Sequence, residues 1–313
     1  MSFSFIEYTA GTKITEPGAY LNVPMSVYHG QPTVEPSISS SGLRTIFLES
    51  PAHYWDSSPL NPDRQDKPDS LPMILGRAAH HLLLGEKDFD RYFALRPDKL
   101  NGEKWNGNRL DCKAWLAERE LEGVTVVTTT QIEQIRGMRK SLAAEPMIQG
   151  GVLNGYIEVS LFWRDLETGI WLKSRPDSIP TDAPDAFDLK VVADITDTGL
   201  TRGLGERGYH QQGAFVREGF REVGGLDLEN FGLVYVEADR PHCVRIAPVA
   251  PQDLDDGALE NRAALRLFKH CLDTGHWPGP QNRAGEAGYV RRSKWATDTA
   301  GARLKIIEEE LAL

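Results

Sequence analysis

Residues 185–192 read DAFDLKVV, and this short stretch decides how the rest of the sequence is interpreted. A period of two predicts a β-strand in which Phe187 and Leu189 point to one face and Asp188 and Lys190 to the other. Burying a charge is costly unless the charge is paired or binds a metal ion. Taken alone, the D-x-K pair predicts an ion pair on a half-exposed strand, and a functional site requires further polar groups to converge on it.

Two earlier segments, 156–165 and 170–180, alternate in the same way and are predicted to be strands joined by the turn LETG. Their polar positions include Glu158 and Asp177. Together with Asp188 on the D-x-K strand, three predicted strands each place one carboxylate on a polar face. Carboxylates that crowd together repel one another unless a cation neutralises them. Hard oxygen ligands favour Mg²⁺ or Mn²⁺ over zinc, so the pattern predicts a divalent metal site.

Helices are expected before and after these strands, and two more strands follow. The helical segments are 37–50, 73–85, 109–121, 130–144, 203–220 and 253–275, and the later strands are 231–238 and 243–250. Runs of helices and strands in this order predict a mixed α/β fold, with a central mixed β-sheet flanked by helices.

The domain organisation follows from length and composition. A chain of 313 residues suits one large domain or two small ones. Residues 1–40 are rich in Pro, Gly and Ser, and we expect an irregular N-terminal arm that packs on the core. Residues 41–280 are expected to form the main domain, and residues 281–313 a basic C-terminal tail with a short helix.

Charge and cysteine usage limit the function and the compartment. The net charge of −10 argues against a general nucleic-acid binder, although an acidic nuclease can still line one groove with basic groups. Cys112, Cys243 and Cys271 are scattered, which argues for a reducing compartment and against a disulfide framework or a zinc or iron–sulfur site. The start MSFSFIEYTAGTK lacks a signal-peptide pattern, and no apolar run is long enough to span a membrane, so we expect a cytoplasmic protein.

Four segments in a fixed order resemble a known family. They are GRAAHHLLLG (76–85), YIEVSLFWRDLETGIWLKSRPDSI (156–179), DLK (188–190) and GYHQQGAF (208–215). Together they resemble the RecE (exonuclease VIII) type of PD-(D/E)XK nuclease, with the RecB nuclease domain and lambda exonuclease as more distant relatives. The opening YHGQPTVEPSISSSGLRTIFLESPAHYW (28–55) resembles the N-terminal part of the same domain. The resemblance implies a restriction-endonuclease-like core.

The resemblance also implies the site residues. The metal ligands that it implies are His80 from the G-x-x-x-H motif, the strand carboxylate Glu158, Asp177 from R-P-D and Asp188 from D-x-K. Gly76 is expected to leave room for the imidazole of His80 or for a nearby strand, while His81 is turned about 100° away on a helix.

The helix after the D-x-K strand carries a glutamine in this family, often within Q-x-x-x-Y. Gln212 fits that position, with Gln211 as a rival, and Val216 stands where the tyrosine is expected. The catalytic residues that the resemblance implies are then Lys190, Glu158 and Gln212. Lys190 would orient or deprotonate the attacking water or stabilise developing charge, and Glu158 would bind a second metal or position water.

The implied activity is the degradation of linear double-stranded DNA from its ends, 5′ to 3′, with Mg²⁺ or Mn²⁺ as cofactor. The 3′ single strands would pass to an annealing protein of RecT type, and a homo-oligomeric ring is expected. Five arginines are predicted to contact DNA, namely Arg175, Arg207, Arg217, Arg291 and Arg292, and the last four lie in locally basic stretches.

Three other interpretations have distinguishable signatures. A restriction-type or RecB-like repair endonuclease on the same core would cut closed circular DNA. A non-catalytic DNA-binding member would have lost the His, Asp, Asp and Lys set, which this sequence keeps. A metabolic enzyme would need a phosphate loop or a dinucleotide fingerprint; the sequence GLGERG (203–208) has the G-x-G-x-x-G spacing but follows no clear strand.

Overall fold

The computed structural model describes residues 3–65, 69–86, 88–280 and 291–311. Two compact units divide the chain, Met1–Trp277 and Pro278–Leu313. The strands are β1 Phe5–Glu7, β2 Gly18–Leu21, β3 Ser37–Ser39, β4 Phe93–Leu95, β5 Lys99–Leu100, β6 Glu103–Lys104, β7 Thr125–Val127, β8 Tyr156–Ile157, β9 Ser160–Arg164, β10 Trp171–Ser174, β11 Ser178–Ile179, β12 Asp185–Val192, β13 Asn230–Glu237 and β14 Val244–Pro248.

The helices alternate with these strands along the chain. They are α1 Met25–His29, α2 Ser40–Leu48, α3 Pro51–Ser57, α4 Leu71–Leu83, α5 Phe89–Tyr92, α6 Leu110–Leu121, α7 Thr129–Ala144, α8 Pro146–Gln149, α9 Asp197–Glu206, α10 Tyr209–Gly224, α11 Pro251–Thr274 and α12 Lys294–Leu311. The helices of the described ranges are all too short or too polar to cross a lipid bilayer.

The mixed α/β fold class is confirmed, and the main strands form two five-stranded mixed sheets. The first has the order β1-β2-β9-β10-β3, and the second has the order β14-β13-β12-β11-β8. In the second sheet β12 runs parallel to β13 and antiparallel to β11. The D-x-K strand is therefore central, with hydrogen-bonded neighbours on both sides.

The two segments predicted as single long strands each bend from one sheet into the other. The first breaks at Glu158, whose φ of 54° lies in the left-handed region, so that β8 joins the second sheet and β9 the first. The second breaks between β10 and β11, and the two breaks meet where the Glu158 amide donates to the carbonyl of Asp177 at 3.1 Å. The bends bring two of the predicted carboxylates together at the junction between the sheets.

The two faces of β12 differ as the period of two predicts. Phe187 and Leu189 enter an apolar cluster with side chains of α4 and α7. Burying such side chains stabilises the fold by roughly 1.5–3 kcal/mol each. Asp188 and Lys190 point to the opposite face, where both contact Gln212 of α10.

The predicted helix 203–220 is two helices, because the chain turns at Gly208. Gly208 has a φ of 61°, a left-handed conformation that glycine adopts without steric cost. A Cβ at this position would also lie only 2.8 Å from Cδ of Arg44. The GLGERG spacing lies at the end of α9 and the turn after it, which excludes a strand-to-helix phosphate loop at this place.

Both ends of the chain differ from the expectation. Residues 3–40 are only partly irregular, because β1, β2 and β3 belong to the first sheet; hydrogen bonding of β2 to β9 and of β3 to β10 overrides their Pro- and Gly-rich composition. The tail helix α12 is 18 residues long rather than short. The part of the predicted tail at 281–290 lies outside the described residues.

Candidate active site

The D-x-K pair and Gln212 form a closed polar cluster. Asp188 is 3% exposed, and its Oδ1 accepts a hydrogen bond from Nε2 of Gln212 at 2.5 Å. Lys190 Nζ lies against Asp188 Oδ2, donates to Oε1 of Gln212 at 3.0 Å and sits 4.5 Å from the centre of the Tyr209 ring. A carboxylate, an amide and an aromatic face together fix the position of this ammonium group.

Asp177 joins the cluster from the bend before the adjacent strand β11. Its Oδ2 accepts a hydrogen bond from the backbone amide of Leu189 at 2.6 Å, which ties the bend before β11 to the D-x-K strand. His80 of α4 approaches from the other side, with Nδ1 at 3.4 Å from the same oxygen. The structure therefore brings together His80, Asp177, Asp188 and Lys190, four of the residues that the sequence predicts.

The charged groups of this cluster shift one another's pKa values. Burial lowers the pKa of His80, but the carboxylates of Asp177 and Asp188 outweigh it and raise that pKa to about 9. Burial and the charge of Asp177 raise the pKa of Asp188. Burial works against ionised Asp177, yet His80 holds the pKa of Asp177 below its usual value. Burial thus works against ionisation of both carboxyls, while the imidazolium of His80 favours the ionised form of Asp177.

Glu158 lies at the rim and is paired with Arg175. Its Oε2 is 3.2 Å from Nη1 of Arg175, and that guanidinium also donates to Ser160 Oγ at 2.8 Å and to the carbonyl of Val23 at 2.7 Å. Burial raises the pKa of Glu158 to about 7, with Arg175 opposing the shift. The side chain of Arg175 is only 6% exposed. The prediction that Arg175 contacts DNA is therefore wrong in this arrangement, because its donors serve the junction between the sheets.

The other predicted DNA-contacting arginines differ in their surroundings. Arg217 of α10 is taken up by Asp255 of α11 at 2.8 Å, so it joins two helices rather than facing outward. Arg207 is exposed at the end of α9. Arg291 and Arg292 are exposed in the C-terminal unit. DNA contact by these last three stays a prediction.

Neighbouring histidines on α4 have different partners. His81 is 5% exposed, lies 3.3 Å from Oε2 of Glu86 and contacts the ring of Phe93. His80 is the one that faces Asp177. Gly76 has nothing within 4 Å of the position that a Cβ would occupy, so the expectation that this glycine makes room for the imidazole is wrong.

Adjacent glutamines on α10 are separated in the same way. Gln212 bridges Asp188 and Lys190. Gln211 is fully buried, its backbone carbonyl accepts a hydrogen bond from Asn261 of α11 at 2.8 Å, and its side-chain amide has no hydrogen bond within the described residues. The helix period places the two amides on different faces, so Gln212 occupies the position of the motif glutamine.

The side chains of this cluster include the oxygen and nitrogen ligands that a divalent ion requires. In the described ranges, no three His, Cys, Asp or Glu side chains converge closely enough to hold an ion as they stand. Cations of the chain occupy that place, since Lys190 lies against Asp188. Oδ2 of Asp188 is buried and contacts the Lys190 ammonium, so an ion bound at this oxygen would take the place of that contact. Carboxylate oxygens of Asp177 and Asp188 with the imidazole of His80 fit Mg²⁺ or Mn²⁺.

Two residues beside this cluster were not singled out from the sequence. Tyr209 lies one helical turn before Gln212, and this i, i+3 spacing is a signal that could have found it. Its ring faces Lys190 although the tyrosine of Q-x-x-x-Y is replaced by the buried Val216. Arg44 of α2 reaches the start of α10, and only the tertiary fold reveals this.

The chain is similar to one protein family and to solved nuclease structures. The model of a family described as a PDDEXK-like domain of unknown function (DUF3799) matches residues 39–293. A candidate exonuclease from Eubacterium rectale has a TM-score of 0.58 at 15% identity, covering 87% of this chain and 97% of that one. An alkaline exonuclease from Laribacter hongkongensis has a TM-score of 0.25 at 12% identity, covering 54% of this chain and 86% of its own. No curated protein sequence matches. At such low identity, the Eubacterium rectale structure is alike in fold alone.

Proposed function

The chain belongs to the family of PDDEXK-like domains, and from this premise we propose that it is a metal-dependent deoxyribonuclease that degrades linear double-stranded DNA from its ends. Family membership confirms the resemblance to the PD-(D/E)XK nucleases. One observation supports the catalytic role above all others. Two buried carboxylates, Asp188 on β12 and Asp177 in the bend before the adjacent strand β11, lie beside a fixed ammonium group and an imidazole.

Asp177 and Asp188, with His80, are the residues that would hold Mg²⁺ or Mn²⁺. A bound ion would neutralise charge at the phosphate and make water a better nucleophile at neutral pH. His80 must be neutral to serve as a ligand, whereas its pKa of about 9 favours the charged form in the metal-free protein. Metal binding therefore releases a proton, and binding should strengthen as the pH rises.

Lys190 is the residue that we assign to stabilising the transition state. Its ammonium is held by Asp188, by Gln212 and by the ring of Tyr209. Donors that are held in place before the reaction stabilise developing negative charge without having to reorganise. Glu158, with a pKa of about 7, can take up or hold a proton of the attacking water at neutral pH, or contribute to a second metal site.

We further propose 5′ to 3′ polarity, with release of 3′ single strands for an annealing protein of RecT type, and a homo-oligomeric ring. These finer assignments rest on the resemblance to RecE-type nucleases. The related fold of the candidate exonuclease from Eubacterium rectale accords with the exonuclease assignment. We also propose a cytoplasmic location, since Cys112, Cys243 and Cys271 are free thiols and suit a reducing compartment.

The deciding experiment compares DNA forms. Linear duplexes labelled at the 5′ or the 3′ end, and covalently closed circles of the same sequence, are incubated with Mg²⁺. Loss of the 5′ label first, with the circles intact, is the expected result. Cleavage of closed circles would instead identify an endonuclease on the same core. Light scattering of the purified protein measures its molecular mass, which shows whether it forms the oligomer that a ring requires.

A further inference from the structure

Arg44 crosses the beginning of α10, next to the candidate active site. Its Nη1 donates to the carbonyl of Arg207 at 2.8 Å, which orients the guanidinium. Its methylene groups pass over Gly208, where a Cβ would lie 2.8 Å from Cδ. The absence of a side chain at Gly208 is thus what allows Arg44 to reach this place from α2.

The guanidinium of Arg44 has no acidic partner in the described part of the chain. Its Nε is buried and forms no hydrogen bond there, and the hydrogen bond of Nη1 goes to a neutral carbonyl. Cations removed from water are normally paired, as Arg175 is with Glu158. The guanidinium of Arg44 is therefore a charged group without an ion-pair partner among the described residues, and because Nε is buried, a ligand would reach it at its Nη groups.

The surroundings of Arg44 belong to the catalytic cluster. Tyr209 follows Gly208 directly, and its ring contacts Lys190. Burial lowers the pKa of Arg44, and the charge of Asp188 opposes this shift, so the two groups lie within electrostatic reach. An arginine keeps its charge at every physiological pH. The unpaired cation is thus on the side of the cluster where Lys190 lies.

We propose that Arg44 binds a backbone phosphate of the DNA strand that enters the active site, which rests on the proposed nuclease function. The planar guanidinium matches two phosphate oxygens, and this pairing is stronger than a neutral hydrogen bond. The hydrogen bond to the Arg207 carbonyl fixes the orientation of the group before DNA arrives. Arg44 is thereby a substrate-binding residue that sets the position of the strand relative to Lys190.

The test measures binding apart from cleavage. A fluorescently labelled duplex of about two helical turns is titrated with the full chain in EDTA, at several salt concentrations, and fluorescence anisotropy gives Kd. The variants are Arg44→Gln, Arg44→Lys and, as a matched control, Arg221→Gln. Arg221 lies on the same helix α10 but is exposed at its far end, where it pairs with Asp227. Circular dichroism checks that each variant is folded.

We expect Arg44→Gln to weaken binding roughly 10- to 100-fold, as loss of a charge-assisted hydrogen-bonded contact does. The slope of log Kd against log salt should fall by about 0.9, the value for one phosphate contact, and Arg221→Gln should leave it unchanged. Arg44→Lys should keep the slope but lose part of the affinity, and it carries the test if Arg44→Gln does not fold.

Two failures are distinguishable. If the wild-type chain cuts and binds duplex DNA but Arg44→Gln matches Arg221→Gln in affinity and slope, the assignment of Arg44 is overturned while the nuclease stands. If the wild-type chain neither binds nor cuts DNA with Mg²⁺ or Mn²⁺ present, the nuclease function fails and the role of Arg44 fails with it.

Discussion

Replacing Lys190 by methionine removes the ammonium but keeps most of the side-chain volume. The ammonium contacts Asp188 Oδ2, Gln212 Oε1 and the ring of Tyr209. Its loss therefore leaves these three groups without their cation. Loss of one preorganised charge-stabilising donor typically costs about 10²- to 10³-fold in kcat. We expect Lys190→Met to lose cleavage rate by roughly this factor, with little change in affinity for DNA.

The same change should destabilise the metal-free protein in a pH-dependent way. Asp188 is 3% exposed, and breaking a buried ion pair costs about 3–5 kcal/mol. The pKa of Asp188 is already raised, so the carboxyl can escape part of this cost by taking up a proton. A carboxyl with a raised folded-state pKa destabilises the fold above its unfolded pKa, and the penalty fades as the pH falls towards that value. We expect a loss of about 3 kcal/mol at pH 7.5, and at pH 5 no more than about 1.5 kcal/mol.

Two assays check these numbers. Single-turnover cleavage of an end-labelled duplex gives the rate, and urea unfolding in EDTA at pH 5 and 7.5 gives the free energy of unfolding. The matched control is Lys269→Met, which breaks a surface pair with Asp273 on α11 and should cost less than about 1 kcal/mol with no loss of rate. A Lys190→Met variant that cuts within threefold of the wild type would refute the reasoning and leave Lys190 as a structural partner of Asp188.

Three further outcomes are expected. His80→Ala should lower the cleavage activity about tenfold or more, with partial rescue at high Mn²⁺. His81→Ala should lower the free energy of unfolding by about 2 kcal/mol and keep the specific activity. Equal, mild losses of cleavage activity in both variants would mean that His80 is a packing residue. The folded-state pKa of His80, about 9, exceeds the unfolded value of 6.5. His80 should therefore stabilise the metal-free protein fully below pH 6.5 and lose that contribution as the pH rises through 9. In EDTA, the free energy of urea unfolding should depend less on pH for His80→Ala than for the wild type. Glu158→Gly should have a free energy of unfolding about 1 kcal/mol higher than that of Glu158→Ala. Both variants lose the carboxylate, and only glycine relieves the φ of 54°. Equal urea midpoints would mean that the backbone there is unstrained.

The central strand and its partners could be predicted because period-two alternation depends on neighbouring residues alone. Asp188 and Lys190 share the polar face of β12, as the pattern requires. The helix period likewise requires His80 and His81 to face different ways, whereas the choice of His80 came from the resemblance to the G-x-x-x-H motif. Such local rules hold wherever the backbone is regular.

The bends between the sheets could not be predicted in this way. A continuous strand would place Lys173, Arg175 and Asp177 in one row, but the chain turns between β10 and β11. Lys173 instead donates to the carbonyls of Tyr28 and Gly30, contacts with residues more than 140 positions earlier in the chain. Only Asp177 of this row reaches the D-x-K strand. Alternation carries no information about where a strand leaves its sheet, or about which distant segment then forms hydrogen bonds with its side chains.

The central claim is metal-dependent hydrolysis of DNA by the cluster around Asp177 and Asp188. The most direct measurement follows an end-labelled linear duplex with wild-type protein and with Asp188→Asn, in Mn²⁺ and in EDTA, alongside calorimetric titration of Mn²⁺ into both proteins. We predict cleavage only by the wild type with Mn²⁺, and weaker Mn²⁺ binding by the variant. Cleavage that persists in EDTA, or that survives Asp188→Asn at the wild-type rate, would contradict the claim.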